Sequence, residues 1–249
     1  HPALEALLWH IGLGQQVTPA VEVGPHQPGR IEDVLEGLAG ALSDKQRRLV
    51  EIMDQGIRRL LHTVSELLDM SRIESGMVRL NKEVCDMNAV TASFISEIRP
   101  IADAGSVDIR VDYDVQSCEV MADRNKILQV LTNLTHNAIK YSPEGAMVEI
   151  RVKNSDGYVV TEVEDHGKGI PEEDLPRIFE KFYQSRYTRG HGGIGLGLAI
   201  SRGIVDAHGG KMYAQSIVGK GSVFGFSLPC ARVHDDFPGV CEGTGHHEA

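Results

Sequence analysis

Two asparagines and a lysine have the spacing of one helix face in the segment QVLTNLTHNAIKYS, which runs from Gln129 to Ser142. Asn133 and Asn137 are four residues apart, so a helix places both on one face, and Lys140 follows three residues further along that face. An amide oxygen is a neutral, hard ligand that suits Mg²⁺ when the ion also binds phosphates, and a lysine ammonium can meet phosphate charge. Taken alone, the same spacing is also typical of a solvated polar stripe.

An acid and two glycines follow in the segment EDHGKGI, where a strand pattern ends. The carboxylate of Asp165 could accept a hydrogen bond from the amino group of adenine. Gly167 and Gly169 would let the backbone approach the base closely, and Ile170 could pack on the ring. An ordinary Asp-Gly turn is the alternative for this segment considered alone.

Glycines alternate with apolar residues in GHGGIGLGLAI, from Gly190 to Ile200, where a helix pattern begins. Gly193, Gly195 and Gly197 would let backbone N–H groups wrap phosphates, and the helix N-terminus adds a favourable dipole. The spacing G-x-G-x-G after a polar stretch differs from the dinucleotide-binding and P-loop patterns. The three segments follow one another within about seventy residues, and together they predict a site for Mg-ATP.

Composition restricts the class of protein. The 249 residues carry a formal net charge of −10, which argues against nucleic-acid binding, and no apolar run approaches the ~20 residues of a membrane span. No signal peptide is visible, and because the chain starts at His1 we expect a fragment of a longer protein. The scattered cysteines predict reduced thiols in a cytosolic compartment, with neither a disulfide framework nor a metal cluster; they are Cys85, Cys118, Cys230 and Cys241.

A long amphipathic helix is predicted from Ser43 to about Ser75, with Ser43 as N-cap and Gln46 as its capping-box partner. Its apolar stripe resembles a coiled-coil seam that is widened as a four-helix bundle requires, although a helix packed on its own domain would show similar spacing. The seam and the widening positions are Leu49, Met53, Ile57, Leu60, Val64, Leu67 and Ser71, with Leu61, Leu68 and Met70. Upstream, glycine and proline at positions 24–29 interrupt the helical pattern.

Strand and helix patterns alternate from about Val84 to Leu228, and hairpin-like neighbours predict a mixed sheet. We therefore expect an α+β fold, a two-layer α/β sandwich with helices on one face of the sheet. The predicted strands are Asp108–Asp112, Glu119–Met121, Met147–Lys153, Tyr158–Glu164, Lys211–Gln215 and Ser222–Leu228. The predicted helices are Asn88–Ala102, Asp123–Tyr141, Glu172–Arg177 and Gly197–His208.

Together with Phe179 and Phe182 in RIFEKFYQ and the closing GKGSVFGFSLP, the three segments resemble the catalytic ATP-binding domain of sensor histidine kinases, over about residues 80–230. The resemblance implies that Asn137 binds Mg²⁺, that Asp165 reads adenine and that residues 183–192 form a lid over ATP. It implies a γ-phosphate contact from Arg186, Arg189 or His191. The nucleotide-binding positions implied are Asn133, Asn137, Lys140, Tyr141, Asp165, Gly167, Gly169, Ile170, Gly193, Gly195, Leu196, Gly197 and Ser222.

The segment LLHTVSELLDMSRIESGMVRLNKEVCDM resembles the second helix of the dimerisation and phosphoacceptor module of the same family, with its linker. The resemblance implies a homodimeric four-helix bundle, a response-regulator receiver domain as partner, and a cytoplasmic location, including the cytoplasmic part of a membrane-bound sensor. The expected domains are 1–80 for the helical region, 81–231 for ATP binding and 232–249 for a peripheral tail. The helix that leads into the domain argues against a gyrase-type or chaperone ATPase and against a Ser-directed kinase.

The sequence departs from the family where the phosphoacceptor should lie. In the segment GQQVTP, Thr18 and Pro19 fit the expected turn, but Gly14 occupies the histidine position and Gln15 the position of the acid. Three interpretations stay open. The chain could autophosphorylate on another histidine, it could be a pseudokinase that signals through ATP binding and partner contacts, or a different alignment of this region could apply. The alternative acceptors are His10, His26 and His62, none of which precedes an acid.

Overall fold

The computed structural model describes residues 42–76, 79–114, 118–185 and 193–231, and it divides into two compact units between Leu67 and Leu68, inside the first helix. The helices and strands alternate in the order that a two-layer α+β domain requires. In chain order they are α1 (Asp44–Glu74), β1 (Glu83–Asp86), α2 (Met87–Ala104), β2 (Asp108–Tyr113), β3 (Glu119–Ala122), α3 (Arg124–Tyr141), β4 (Met147–Ser155), β5 (Tyr158–Asp165), α4 (Gly197–Ala207), β6 (Lys211–Ile217) and β7 (Gly221–Pro229).

The predicted helix and its capping box are confirmed in α1. The Ser43 backbone N–H donates to Gln46 Oε1 at 3.0 Å, and the Gln46 N–H donates to Ser43 Oγ at 3.4 Å. Although α1 is 31 residues long, neither it nor any other helix in the described ranges is apolar enough to cross a bilayer. Much of its apolar stripe is exposed, at Leu49, Leu60, Leu61, Val64, Leu67 and Leu68.

A mixed five-stranded sheet forms one layer of the C-terminal unit, as the sequence predicts. The strand order is β2-β4-β5-β7-β6, in which β2 and β4 are parallel and every other pair is antiparallel. β1 and β3 form a separate antiparallel pair. The register of β5 on β7 sets Asp165 opposite Ser222, and this pairing positions the site described below.

Three helices form the second layer on one face of the sheet. α2 and α3 begin after the aspartate N-caps Asp86 and Asp123, whose side chains accept backbone N–H groups of the first turn. α2 packs against β2, α3 against β4 and β5, and α4 against β6 and β7. The interface buries a continuous apolar core, which includes Phe94, Ile127, Leu131, Leu134, Ile150, Ile200, Ile204 and Phe226.

The opposite face of the sheet carries charges. Arg151 on β4 forms ion pairs with Glu149, with Glu162 at 3.5 Å and with Glu164. Tyr213 on β6 donates its hydroxyl to Glu162 Oε1 at 2.6 Å. The sheet is therefore apolar toward the helices and polar on its other side, which completes the expected two-layer sandwich.

One predicted helix is wrong, and one strand was not predicted. Residues 172–179 form consecutive turns and not the predicted helix Glu172–Arg177. Pro176 has no N–H with which to continue a helix, and the backbone bonds here join residues three apart, as from Asp174 N–H to the Pro171 carbonyl at 2.9 Å. The short strand β1 was not predicted, because its four residues gain their strand partner only from β3, far along the chain.

Candidate nucleotide site

Asp165 closes β5 at the centre of the site. Its side chain faces the helices and is only 5% exposed. The Gly167 N–H donates to Asp165 Oδ1 at 2.8 Å, and the backbone and hydroxyl of Ser222 also donate to this carboxylate. Burial raises the pKa of the Asp165 carboxyl, and the hydrogen bonds from Gly167 and Ser222 oppose that rise. A buried carboxylate at the end of a strand is an oriented acceptor for a ligand N–H.

A second serine, Ser216, supports Ser222 and was not predicted from the sequence. Ser216 Oγ lies 3.0 Å from Ser222 Oγ, accepts the Ile170 N–H at 2.7 Å and donates to the Gly221 carbonyl at 2.8 Å. It therefore ties the turn after β5 to the β6–β7 hairpin. The register could have indicated it, because a tight turn between β6 and β7 sets Ser216 opposite Ser222.

The two glycines of the turn after β5 are required by close backbone contacts. A Cβ on Gly167 would lie 2.4 Å from the Tyr141 carbonyl oxygen. Gly169 has a φ of +69°, and a Cβ there would lie 2.2 Å from the Ile217 carbonyl oxygen. The turn is thus pressed between the end of α3 and the end of β6, with no room for a side chain at either glycine.

The C-terminal end of α3 carries Asn137 and Lys140, two of the predicted nucleotide-binding residues. Asn137 is half-buried, and within the described ranges no residue hydrogen-bonds its side-chain amide. The Lys140 ammonium lies 5.0 Å from the centroid of the Tyr141 ring and is exposed. Because the Tyr141 carbonyl touches Gly167, this end of α3 adjoins the Asp165 turn. An uncommitted amide oxygen there fits a divalent cation that also binds phosphate.

Asn133 lies one turn earlier and contacts the start of α4. Its Nδ2 donates to the Gly197 carbonyl at 3.1 Å and to Ser201 Oγ at 3.2 Å. A Cβ on Gly197 would lie 3.6 Å from the Asn133 amide, so the two segments are in direct contact. This asparagine therefore positions the N-terminus of α4 beside α3.

The N-terminus of α4 has backbone donors that its N-cap side chain does not engage. Leu196 stands at the N-cap and provides no side-chain capping bond, so within the described residues the first N–H groups of α4 are available to a ligand. The Leu196 side chain itself is fully buried, and only its backbone faces the site. At Gly193, where φ is +98°, a Cβ would meet no atom of the described residues within 4 Å. Space left by these residues beside a helix N-terminus suits an anionic group.

Gly195 connects the glycine segment before α4 to Phe182 and Tyr183. Its φ is +78°, and a Cβ would lie 2.6 Å from the Tyr183 carbonyl oxygen. The Phe182 N–H donates to the Gly195 carbonyl at 2.9 Å, and Gln184 Nε2 donates to the Gly193 carbonyl at 2.7 Å. Residues 182–184 are therefore hydrogen-bonded to residues 193–195, which directly precede α4.

Asp174 holds Tyr183 and Ser185 in place, and it was not predicted from the sequence. Its carboxylate accepts the Tyr183 hydroxyl at 2.5 Å and the Ser185 hydroxyl. The Arg177 guanidinium lies 4.4 Å from the centroid of the Tyr183 ring. No sequence pattern indicated this cluster, because its members are brought together by turns and not by a regular element.

Four predicted segments thus converge: the end of β5 with its turn, the end of α3, the start of α4, and Ser222 on β7. They offer a buried carboxylate for an amino group, backbone N–H groups for phosphates and an amide oxygen for a cation. The set of groups fits Mg-ATP. Leu196 and Asn133 differ from the rest, since the first has a buried side chain and the second is engaged by α4.

Comparison with known proteins identifies the fold family. Residues 122–232 match the family described as histidine kinase-, DNA gyrase B- and HSP90-like ATPases. The sensor histidine kinase WalK of Bacillus subtilis (strain 168) is 35% identical over 209 residues, covering 81% of this chain and 34% of WalK. A structure of the catalytic domain of histidine kinase ThkA is 31% identical with a TM-score of 0.54, covering 60% of this chain and 95% of that domain. The chain belongs to the sensor histidine kinases.

Two larger histidine kinase structures resemble more of the chain. Full-length ShkA in complex with AMPPNP has a TM-score of 0.70 at 26% identity, covering 80% of this chain and 42% of ShkA. ThkA in complex with the response regulator TrrA has a TM-score of 0.61 at 25% identity, covering 81% of this chain and 58% of that chain. The chain spans about a third of the length of WalK.

Several predicted positions lie outside the described residues: Gly14, Gln15, His10, His26, Arg186, Arg189 and His191. His62 is described and lies on α1, with 69% of its side chain exposed. Its Nδ1 is 3.5 Å from Glu66 Oε2, one helical turn away.

Proposed function

We propose that this chain is the ATP-binding and dimerisation core of a two-component sensor histidine kinase, which transfers the γ-phosphate of ATP to a histidine and then to a response regulator. The observation that carries the proposal is the buried carboxylate of Asp165, held by Gly167 and Ser222 beside a turn in which only glycine fits. The Gly167 bond alone is that of an Asx turn, but the burial of the carboxylate and the two hydrogen bonds from Ser222 exceed what such a turn requires, and they support a ligand-binding role.

The roles of the residues follow from their chemistry. Asp165 accepts the adenine amino group, with Ser222 beside it and Ile170 against the ring. The N–H groups at the start of α4, with Gly193 and Gly195, contact the phosphates. Lys140 adds positive charge at the end of α3. Bound Mg²⁺, held by Asn137, would offset the charge of the phosphate oxygens.

The exposed apolar stripe of α1 supports a homodimer. Leu60, Leu61 and Leu68 are each more than half exposed, at 62%, 64% and 56%. A contiguous stripe of this kind is stabilised when a second helix covers it. A second copy of the chain would complete the four-helix bundle that the sequence pattern predicts.

The proposed partner is a response-regulator receiver domain, and the proposed location is the cytoplasm, where Mg-ATP is available. ThkA has been captured with its response regulator TrrA, and the resemblance of this chain to that complex supports the same class of partner. An aspartate of the receiver would accept the phosphoryl group from the phosphohistidine.

The test is incubation of the purified chain with γ-labelled ATP and Mg²⁺, followed by acid and base treatment and phosphosite mapping. We expect label that is lost in acid and retained in base, and that passes to an aspartate of an added receiver domain. The phosphosite map assigns the acceptor among His10, His26 and His62 or to a different residue. Absence of such label, in a chain that still binds Mg-ATP, would contradict autokinase activity and leave the pseudokinase interpretation.

A further inference from the structure

A cavity of about 460 Å³ lies away from the nucleotide site, within the C-terminal unit. Its walls come from the last turns of α1, from Arg79 in the linker that follows, from α3 and from α4. Ile73 and Ile204 form the apolar part of the lining, and Ile73 also packs against Gly203, where a Cβ would lie 2.5 Å from the isoleucine side chain. None of the predicted nucleotide-binding residues lines this cavity.

The lining is positively charged. Three of the lining residues are cationic, namely Arg72, Arg79 and Lys126, and one, Asp69, is anionic. Lys126 Nζ is 3.2 Å from Asp69 Oδ1, so this pair is nearly neutral. Neither arginine forms an ion pair with any residue that the structure describes. The cavity therefore presents two uncompensated guanidinium groups in a chain whose net charge is −10.

The partial negative charge at the C-terminal end of α1, beside the cavity, is partly offset. The C-terminal carbonyls of a helix repel anions, and α1 ends at Glu74 next to this cavity. The Ser75 hydroxyl shares its one hydrogen between the Ser71 carbonyl at 2.9 Å and the Arg72 carbonyl at 3.1 Å. The Ser71 carbonyl also accepts the Ser75 backbone N–H at 3.1 Å, and Arg72 adds a positive charge in the last turn.

From this arrangement we infer a second ligand site, separate from the nucleotide site, for a phosphate-bearing small molecule. Arg72 and Arg79 bind the phosphate, because a guanidinium presents paired N–H donors that match two phosphate oxygens. Ile73 and Ile204 contact the apolar part of the molecule. The volume exceeds that of a free phosphate ion, so a phosphate ester of a small organic group fits better than the ion alone.

Bound there, such a molecule links the end of α1 and the linker to α3. Asp69 already joins α1 to α3, because it accepts Lys126 Nζ and also Gln129 Nε2 at 2.8 Å. The ligand would add contacts between the same elements without touching Asp165 or the start of α4. The inference does not depend on kinase activity.

The test uses inorganic pyrophosphate as the probe and the chain with labelled isoleucine methyl groups. Ile73 and Ile204 report on the cavity, and Ile194 reports on the glycine segment of the nucleotide site. We expect saturable NMR shifts at Ile73 and Ile204. Arg72→Gln and Arg79→Gln should each weaken the apparent affinity by about tenfold, because each removes charge-assisted hydrogen bonds. Arg99→Gln makes the same charge change at an exposed position on α2 and should leave the affinity unchanged.

Pyrophosphate that shifts only Ile194 binds the nucleotide site alone and overturns the inference. No shift at millimolar pyrophosphate also overturns it, as does equal weakening by all three arginine variants, which would indicate an effect of net charge only. All three arginines are exposed, so the variants should fold, and the isoleucine spectrum itself verifies this. Failure of the phosphorylation test would leave the outcome of this experiment unaffected.

Discussion

At the scale of residues, the site depends on the buried carboxylate of Asp165 and on the half-buried amide of Asn137. Asp165 is buried and its pKa is raised by that burial, so the charged carboxylate is less stable there than in water. Asn137 keeps an amide that no described residue engages. Bound Mg-ATP would add a hydrogen bond to Asp165 and use the amide oxygen of Asn137.

Asn137→Asp tests the proposed Mg²⁺ ligand. The substitution keeps the side-chain shape but adds a negative charge near the phosphates, so we expect Mg-ATP affinity to fall by about tenfold or more with the fold retained. Asn125→Asp is the matched control, since it makes the same change on α3, about 18 Å away along the helix. Calorimetry that gives equal affinities for the two variants would refute the assignment of Asn137.

His208 provides a pH-dependent contact between α3 and α4. It is 5% exposed, its Nδ1 lies 2.7 Å from the Ile204 carbonyl, and its Nε2 accepts the Asp123 N–H at 3.0 Å. Burial lowers the pKa of His208; nearby Lys82 also lowers it, while the Ile204 hydrogen bond and Asp123 oppose the change.

Because the folded pKa is below the unfolded value, the stabilisation by neutral His208 is complete above about pH 6.5 and is lost as the pH falls below that value. We expect the urea midpoint to fall between pH 6.5 and 5, with a slope of up to about 1.4 kcal/mol per pH unit in the free energy of unfolding. His208→Gln should flatten this dependence, and His62→Gln, on the exposed part of α1, should not. An unchanged profile in the His208 variant would contradict the account.

At the scale of elements, local patterns were predictable and distant partners were not. The helix cap at Ser43, the mixed sheet and the helices α2, α3 and α4 follow from spacing and capping residues close in sequence. β1 exists only because β3 pairs with it, and the helix predicted at 172–177 fails because Pro176 lacks an N–H.

The same distinction holds in the candidate site. The glycine and asparagine segments could be found from sequence because each has its own spacing. Ser216 required the register of the β6–β7 hairpin in addition, and Asp174 could not be found, because its contact to Tyr183 depends on consecutive turns. Sequence therefore indicated which segments bear the chemistry, and the fold determined which neighbours support them.

A glycine on β7 determines the packing of the charged sheet face. A Cβ on Gly225 would lie 2.2 Å from the Tyr213 ring, which pairs with it across β6 and β7. Gly225→Ala should displace this ring from Glu162 and lower the free energy of unfolding by about 1–3 kcal/mol in urea denaturation. In a Tyr213→Ala background the same change should cost much less. Equal costs in both backgrounds would show that the ring contact is not responsible.

At the scale of the whole molecule, the exposed stripe of α1 predicts the oligomeric state. Leu60→Glu and Leu67→Glu each add a charge to the stripe and should convert a dimer to a monomer in sedimentation experiments. Gln55→Glu adds the same charge at an exposed position on the side of α1 opposite the stripe and should remain dimeric. A monomeric parent chain, or leucine variants that sediment like the glutamine variant, would exclude this interface.

The claim on which the rest depends is that ATP binds with its adenine at Asp165, and calorimetric titration with Mg-ATP tests it most directly. The parent chain should bind Mg-ATP. Asp165→Asn should bind at least about tenfold more weakly, since it loses a hydrogen bond to a charged acceptor. Asp108→Asn, at an exposed position on β2, should bind like the parent. A parent chain that does not bind, or an Asp165→Asn variant that binds like the Asp108→Asn control, would contradict the account.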